Sequence, residues 1–80
     1  MNHYPIQYFG LLAERRGLAD ETVASAATTP AAIYQEIDSR DPLGMAMNDL
    51  RAVVNDEFAS WDQPLKEGDR IAFLPPMSGG

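Results

Sequence analysis

The residues best placed to do chemistry stand at the end of the chain. Pro75-Pro76-Met77-Ser78-Gly79-Gly80 closes a sequence of 80 residues. Each proline fixes φ and lacks an amide hydrogen, so neither helix nor a full strand ladder continues through the pair. The residue before each proline is pushed out of the helical region as well. Six residues at about 3.3 Å each could reach up to ~20 Å from a folded body. Gly79 and Gly80 add no side-chain bulk, which suits passage through a narrow channel. A stiff base with a thin tip presents the Gly80 carboxylate as a reactive group. A carboxylate is a poor electrophile until it is adenylated, and an adenylating enzyme must thread it beside ATP. The plain alternative is a frayed end without a role.

The rest of the composition removes competing chemistries. Without cysteine there is no disulfide, thiolate zinc site, iron–sulfur cluster or cysteine nucleophile. His3 is the sole histidine, has no second ligand near it in sequence, and reads as a surface residue. Asp62, Glu67 and Asp69 match no calcium-loop spacing and read as a solvated turn face, so no metal is expected. Gly10 and Gly17 belong to no phosphate-binding loop. Twelve acidic against six basic residues give a net charge of −6, which disfavours nucleic acid and anionic membranes and favours a basic protein partner. Apolar runs fall far short of the ~20 residues that span a bilayer. Met1-Asn2-His3-Tyr4-Pro5 lacks a basic region followed by an apolar stretch, so a cytoplasmic location is expected. At this length a deep pocket is hard to build, and partner binding is the better default.

The elements that must position the tail form one domain, with residues 1–74 as body and 75–80 as extended tail. Tyr4 to Phe9 alternates as a strand, with Pro5 expected at the strand start or on an edge. Gly10 to Arg16 reads as a short helix closed by Gly17. Glu21 to Ala27 reads as a weak strand. Thr29-Pro30 starts a helix through Ile37, whose Ile33, Tyr34 and Ile37 share one face. Leu43 to Asp49 has no clear period, and Met45 and Met47 read as gap-filling core residues. Arg51 to Asn55 and Glu57 to Ser60 are strands joined by an Asn55-Asp56 turn. Trp61 reads as a core or rim aromatic. Lys66-Glu67-Gly68-Asp69 is a turn in which Gly68 supplies positive φ. Arg70 to Leu74 is the last strand. The order predicts an α+β fold with helix on one face of a mixed sheet.

Three stretches together carry a family resemblance: Val54-Asn55-Asp56-Glu57-Phe58, then Pro64-Leu65-Lys66-Glu67-Gly68-Asp69, then Ile71 to Gly80, read as Ile-Ala-Phe-Leu-Pro-Pro-Met-Ser-Gly-Gly. They resemble the small subunit of molybdopterin synthase, and Tyr8-Phe9-Gly10-Leu11-Leu12 resembles that family's first strand and helix start. The resemblance implies a ubiquitin-like β-grasp fold and a sulfur carrier with no turnover of its own. It implies that an E1-like enzyme uses ATP to adenylate Gly80, and that a sulfurtransferase donor converts the acyl-adenylate to a thiocarboxylate. It implies that the tail enters the large synthase subunit, where the sulfur attacks cyclic pyranopterin monophosphate. No cofactor is expected on the carrier itself. By the same resemblance Gly80 carries the sulfur, Gly79 gives the slim approach, and Pro75, Pro76, Met77 and Ser78 form the inserted stalk. Phe73 and Leu74 are candidates for docking at its base. They alternate faces, so one is expected in the core and the other free for a partner.

Other products stay open at this point. A thiamine-type sulfur carrier also ends in Gly-Gly, although Phe-Leu-Pro-Pro favours molybdopterin. A ubiquitin-like modifier is a further class, and with Lys66 as the only lysine its lysine-linked chains could use that position alone. The charge of −6 suggests steering toward a partner whose anion-binding mouth is basic.

Overall fold

The computed structural model describes residues 1–75; residues 76–80 lie outside the described residues. Alternation in the first segment builds β1 (Asn2–Tyr8), whose Tyr4, Ile6 and Tyr8 are buried. A short helix, α1 (Leu11–Arg16), follows and ends on left-handed Gly17. β2 (Asp20–Ser25) pairs antiparallel with β1. It ends two residues before the expected Ala27, where the Ser25 hydroxyl turns the chain by accepting from the Ala27 amide at 2.9 Å.

The main helix, α2 (Pro30–Arg40), starts as Thr29-Pro30 predicts. Thr29 Oγ1 accepts from the Ala32 amide at 3.2 Å, satisfying one orphan donor of the first turn. Pro30, Ile33, Tyr34 and Ile37 are its buried face. The aperiodic Leu43 to Asp49 stretch is a strap with one 3₁₀ turn, Met47–Asp49. Polar groups of the helices hold it. Asp38 Oδ1 accepts from the Leu43 amide at 2.8 Å, Arg15 donates to the carbonyls of Leu43 and Gly44, and the Tyr34 hydroxyl donates to the Met45 carbonyl at 2.6 Å. Leu43 is fully buried, and Met45 and Met47 pack against the core from its margin, as gap-filling residues should.

β3 (Arg51–Val54) and β4 (Glu57–Ala59) form a hairpin about Asn55-Asp56, and both turn residues adopt positive φ. β5 (Ile71–Leu74) runs parallel to β1 and antiparallel to β3. The sheet order is β2-β1-β5-β3-β4, so the last strand lies at the centre. This is the mixed sheet with one main helix on a single face that the sequence predicts.

Pro5 departs from expectation, because it lies within an interior strand, opposite Thr22. Amide direction along β1 explains this. The Tyr8 amide donates to Ala19 toward the β2 side, whereas the His3 amide donates to Glu67 on the opposite side. Alternation puts the Pro5 nitrogen on the His3 side, and pairing with β5 begins only at Ile6. The missing donor therefore costs the sheet no ladder bond.

One face of the sheet is covered. Tyr4, Ile6, Tyr8, Ile71, Phe73 and Val54 meet Ile33, Tyr34 and Ile37 of α2 in a single cluster. Trp61 stacks on Phe73 with ring centroids 5.9 Å apart and planes 9° apart, and Tyr34 meets both rings edge-on. Such aromatic pairs contribute roughly 0.5–1.5 kcal/mol beyond their burial. The Trp61 carbonyl accepts from Ala31 at the head of α2, so the loop carrying the indole is tied to the helix it packs against.

Candidate docking face and tail exit

Strand register fixes what the opposite face displays. Gln7 pairs with Ala72, Ala72 with Val53, and Val53 with Phe58, giving one cross-strand row. Leu74 pairs with Arg51 in the adjacent row, and Phe9 adjoins Leu74 across the end of β1. These residues, with Asp56, line an open and mainly apolar groove of about 240 Å³. Phe58 is 69% exposed and Phe9 43%. Two exposed phenylalanines beside a half-buried leucine form the kind of apolar patch that marks an interaction surface.

The tail leaves from this patch. β5 delivers the chain through Leu74 to Pro75, next to Gly10. Gly10 has φ +55° and ψ −129°, a conformation that side-chain-bearing residues rarely adopt. A Cβ built there would lie 3.5 Å from Pro75 Cγ. The Phe9-Gly10 corner is thus a close-fitting wall for the base of the tail.

A part-buried polar cluster holds that corner. Arg16 Nε and Nη2 donate to both Glu21 oxygens at 2.9 and 2.8 Å, Arg16 Nη1 reaches Asp41 at 3.1 Å, and the Tyr8 hydroxyl donates to Glu21. Burial and the Glu21 carboxylate push the Tyr8 hydroxyl far above its ordinary range. The bond to Glu21 raises the Arg16 guanidinium further still. Burial alone would raise the Glu21 carboxyl, but the bonds from Arg16 and Tyr8 prevail and hold it below its usual range. The cluster is satisfied within itself and fixes the residue immediately before Phe9.

A second polar lock lies ahead of β5. Asp69 is only 8% exposed; it accepts from the Lys66 amide at 2.8 Å and from Asn55 Nδ2 at 3.0 Å. Those bonds, the Lys66 amide foremost, hold its carboxyl below the usual range. Asp69 is therefore no solvated turn residue; it ties the Gly68 turn to the Asn55-Asp56 turn. Asp62 and Glu67 are exposed as expected, and His3 is a surface residue 3.5 Å from Glu67.

Of the sequence-predicted site residues, Phe73 needs correction. Its side chain is 0% exposed, because the Tyr8–Phe73 register turns it under α2 into the aromatic cluster. It offers no side-chain surface to a partner, and Leu74 alone of that pair faces the groove. Pro75 stands at the tail exit, half-buried beside Gly10. The expectations for Pro76, Met77, Ser78, Gly79 and Gly80 fall outside the described residues. Sequence reasoning did not assign Gln7, Phe9, Val53 or Phe58 to the docking face. A usable signal existed: a two-residue turn at Asn55-Asp56 places Val53 opposite Phe58 on the face away from Ala52 and Val54. Among the described residues no helix is long and apolar enough to cross a membrane.

Comparison with known proteins agrees with this architecture. The ThiS family model matches residues 6–80. The molybdopterin synthase sulfur carrier subunit of Escherichia coli (strain K12) is 35% identical over 78 residues, spanning 94% of this chain and 96% of that protein. The crystal structure of SAMP1 from Haloferax volcanii is similar in fold, with a TM-score of 0.82 at 22% identity over 99% of this chain and 100% of that one. A chain in the complex of subunits 1 and 2 of the molybdopterin-converting factor from Helicobacter pylori gives 0.70 at 23% identity, covering 98% of this chain and 99% of its own. The fold is the ubiquitin-like β-grasp, the resemblance to molybdopterin synthase small subunits is borne out, and the chain belongs to the ThiS family.

Proposed function

We propose that this chain is the sulfur carrier subunit of molybdopterin synthase, acting in the cytoplasm. The observation that carries the reading is the reach of the family match, which runs through β5 and the tail to Gly80. An E1-like enzyme would use ATP to adenylate the Gly80 carboxylate, and a sulfurtransferase donor would replace AMP with sulfur. The thiocarboxylate then enters the large subunit and donates sulfur to cyclic pyranopterin monophosphate; two transfers build the dithiolene. Pro75 to Gly79 are the inserted stalk in this scheme.

The division of labour on the described residues supports it. The domain presents an open, mainly apolar groove beside Pro75, where the tail departs. Leu74, Phe9 and Phe58 give the large subunit a surface to grip while the tail is threaded. The reactive group is thereby aimed by docking at its base, and the substrate pocket belongs to the partner.

Intact-mass analysis tests the reading. Incubation with the activating enzyme, ATP and a sulfur source should add one oxygen-for-sulfur exchange at the C-terminus, and deletion of Gly80 should abolish it with the fold unchanged. Normal loading of the truncated chain would overturn the terminal-carboxylate mechanism. Co-purification with a large subunit for thiamine synthesis instead would redirect the product.

A further inference from the structure

Arg51 stands out on the docking face. The protein is acidic overall, and its other arginines are engaged: Arg16 with Glu21 and Asp41, Arg40 with Glu36, Arg70 with Asp56, and Arg15 with backbone carbonyls. Among the described residues Arg51 takes part in no ion pair. Its guanidinium carbon lies 5.5 Å from the centre of the Phe58 ring, within cation–π range. Its cross-strand partner is Leu74, the last strand residue before the tail exit. Arg51 is exposed, so the guanidinium stands beside the groove rather than inside the core.

This placement is specific. A charge at the rim of an apolar groove adds little to domain stability, but it discriminates strongly between partner surfaces of opposite sign. Stacking on Phe58 restricts the long side chain beforehand, which lowers the ordering cost of making a contact. Five donors in a planar fork suit a carboxylate.

We propose that Arg51 is a specificity-determining residue for the large subunit, pairing with a partner carboxylate beside the apolar side chain that fills the groove. The inference rests on the sulfur-carrier reading and deepens it. Net charge and local charge then have separate tasks. The acidic body guides the tip toward a basic mouth, and the Arg51 cation opposite Leu74 requires an acidic spot beside that mouth. A partner surface with a cation at that spot would be rejected.

Binding of the full chain to its cognate large subunit tests this by titration calorimetry, with loading at Gly80 followed in parallel. Arg51→Met, which keeps apolar bulk near Phe58, should weaken binding about tenfold, and Arg51→Glu should weaken it more. Both variants should melt as the wild type does and still accept sulfur. The Arg51→Met complex should also lose part of the wild type's salt dependence. Replacing the facing carboxylate of the large subunit by lysine should restore binding of Arg51→Glu. If wild type and Arg51→Glu bind equally well, the assignment of Arg51 is wrong and the carrier reading stands. If the wild type neither loads nor binds a large subunit, the carrier reading fails and takes the assignment with it.

Discussion

The two faces of the sheet are built from alternate residues of the same strands, yet they answer to different demands. Phe73 and Leu74 are neighbours in β5, apolar and large. Phe73 lies beneath α2 between Trp61 and Tyr34; Leu74 lies in the open groove opposite Arg51. The covered face is closed by aromatic contacts among Tyr34, Trp61 and Phe73. The open face retains exposed Phe9 and Phe58 at a cost in solubility that only a partner would justify. A strand period of two lets a chain this small keep a core and an interface on one five-stranded sheet.

That contrast can be broken most severely from the covered side. Phe73→Ala should destabilise the domain by about 3–5 kcal/mol, because it opens a cavity in the centre of the aromatic cluster. Denaturant titration should show most of the cooperative transition lost. On the open side, Phe58→Ala should leave the unfolding midpoint nearly unchanged while weakening large-subunit binding by about 2 kcal/mol. A binding loss after Phe73→Ala with full stability, or a stability loss after Phe58→Ala, would mean that the faces are not separate in function.

A smaller effect is expected where the Gly68 turn feeds β5. Asp69→Asn should cost about 1.5 kcal/mol at neutral pH, since a charged acceptor of two buried bonds is replaced by a neutral one. The folded form binds the Asp69 proton more weakly than the unfolded chain, whose ordinary value is 3.8. This contribution is full above that value and is lost as the pH falls through the lowered folded value. The gap between wild type and variant, read from denaturant melts, should therefore narrow in acid. Smallest of all, Thr29→Ala should cost about 1 kcal/mol through loss of the α2 cap, with no change in partner binding.

The sequence carries local order more fully than it carries surfaces. Thr29-Pro30, the Asn55-Asp56 turn and the Gly68 turn are chemical punctuation, and each appears where its residue types require it. The α2 face was readable because Ile33, Tyr34 and Ile37 repeat at helical spacing. Leu43 to Asp49 was not, because it is held by side chains from elsewhere, Asp38, Arg15 and Tyr34, and not by a period of its own. Alternation says that Phe73 and Leu74 part company but not which goes inside; the parallel pairing with β1 settles that. Asp69 resembled any turn carboxylate until Asn55, fourteen residues away, became its neighbour. Phe9 and Phe58 lie far apart in sequence and join one groove only through the central position of β5.

That central position also governs how the molecule bears load. β5 is flanked on both sides, parallel to β1 and antiparallel to β3, and Pro75, the first residue of the tail, follows directly from its end. A pull on the tail, as when a seated tip is withdrawn from a tight channel, acts lengthwise on both ladders at once. Their bonds must then fail together in shear instead of opening one by one as at a peeled edge. A strand at the margin of the sheet would unzip under the same tension. The fold thus holds the strand that leads to the tail like a central thread in a woven strap, gripped by a neighbour on each side.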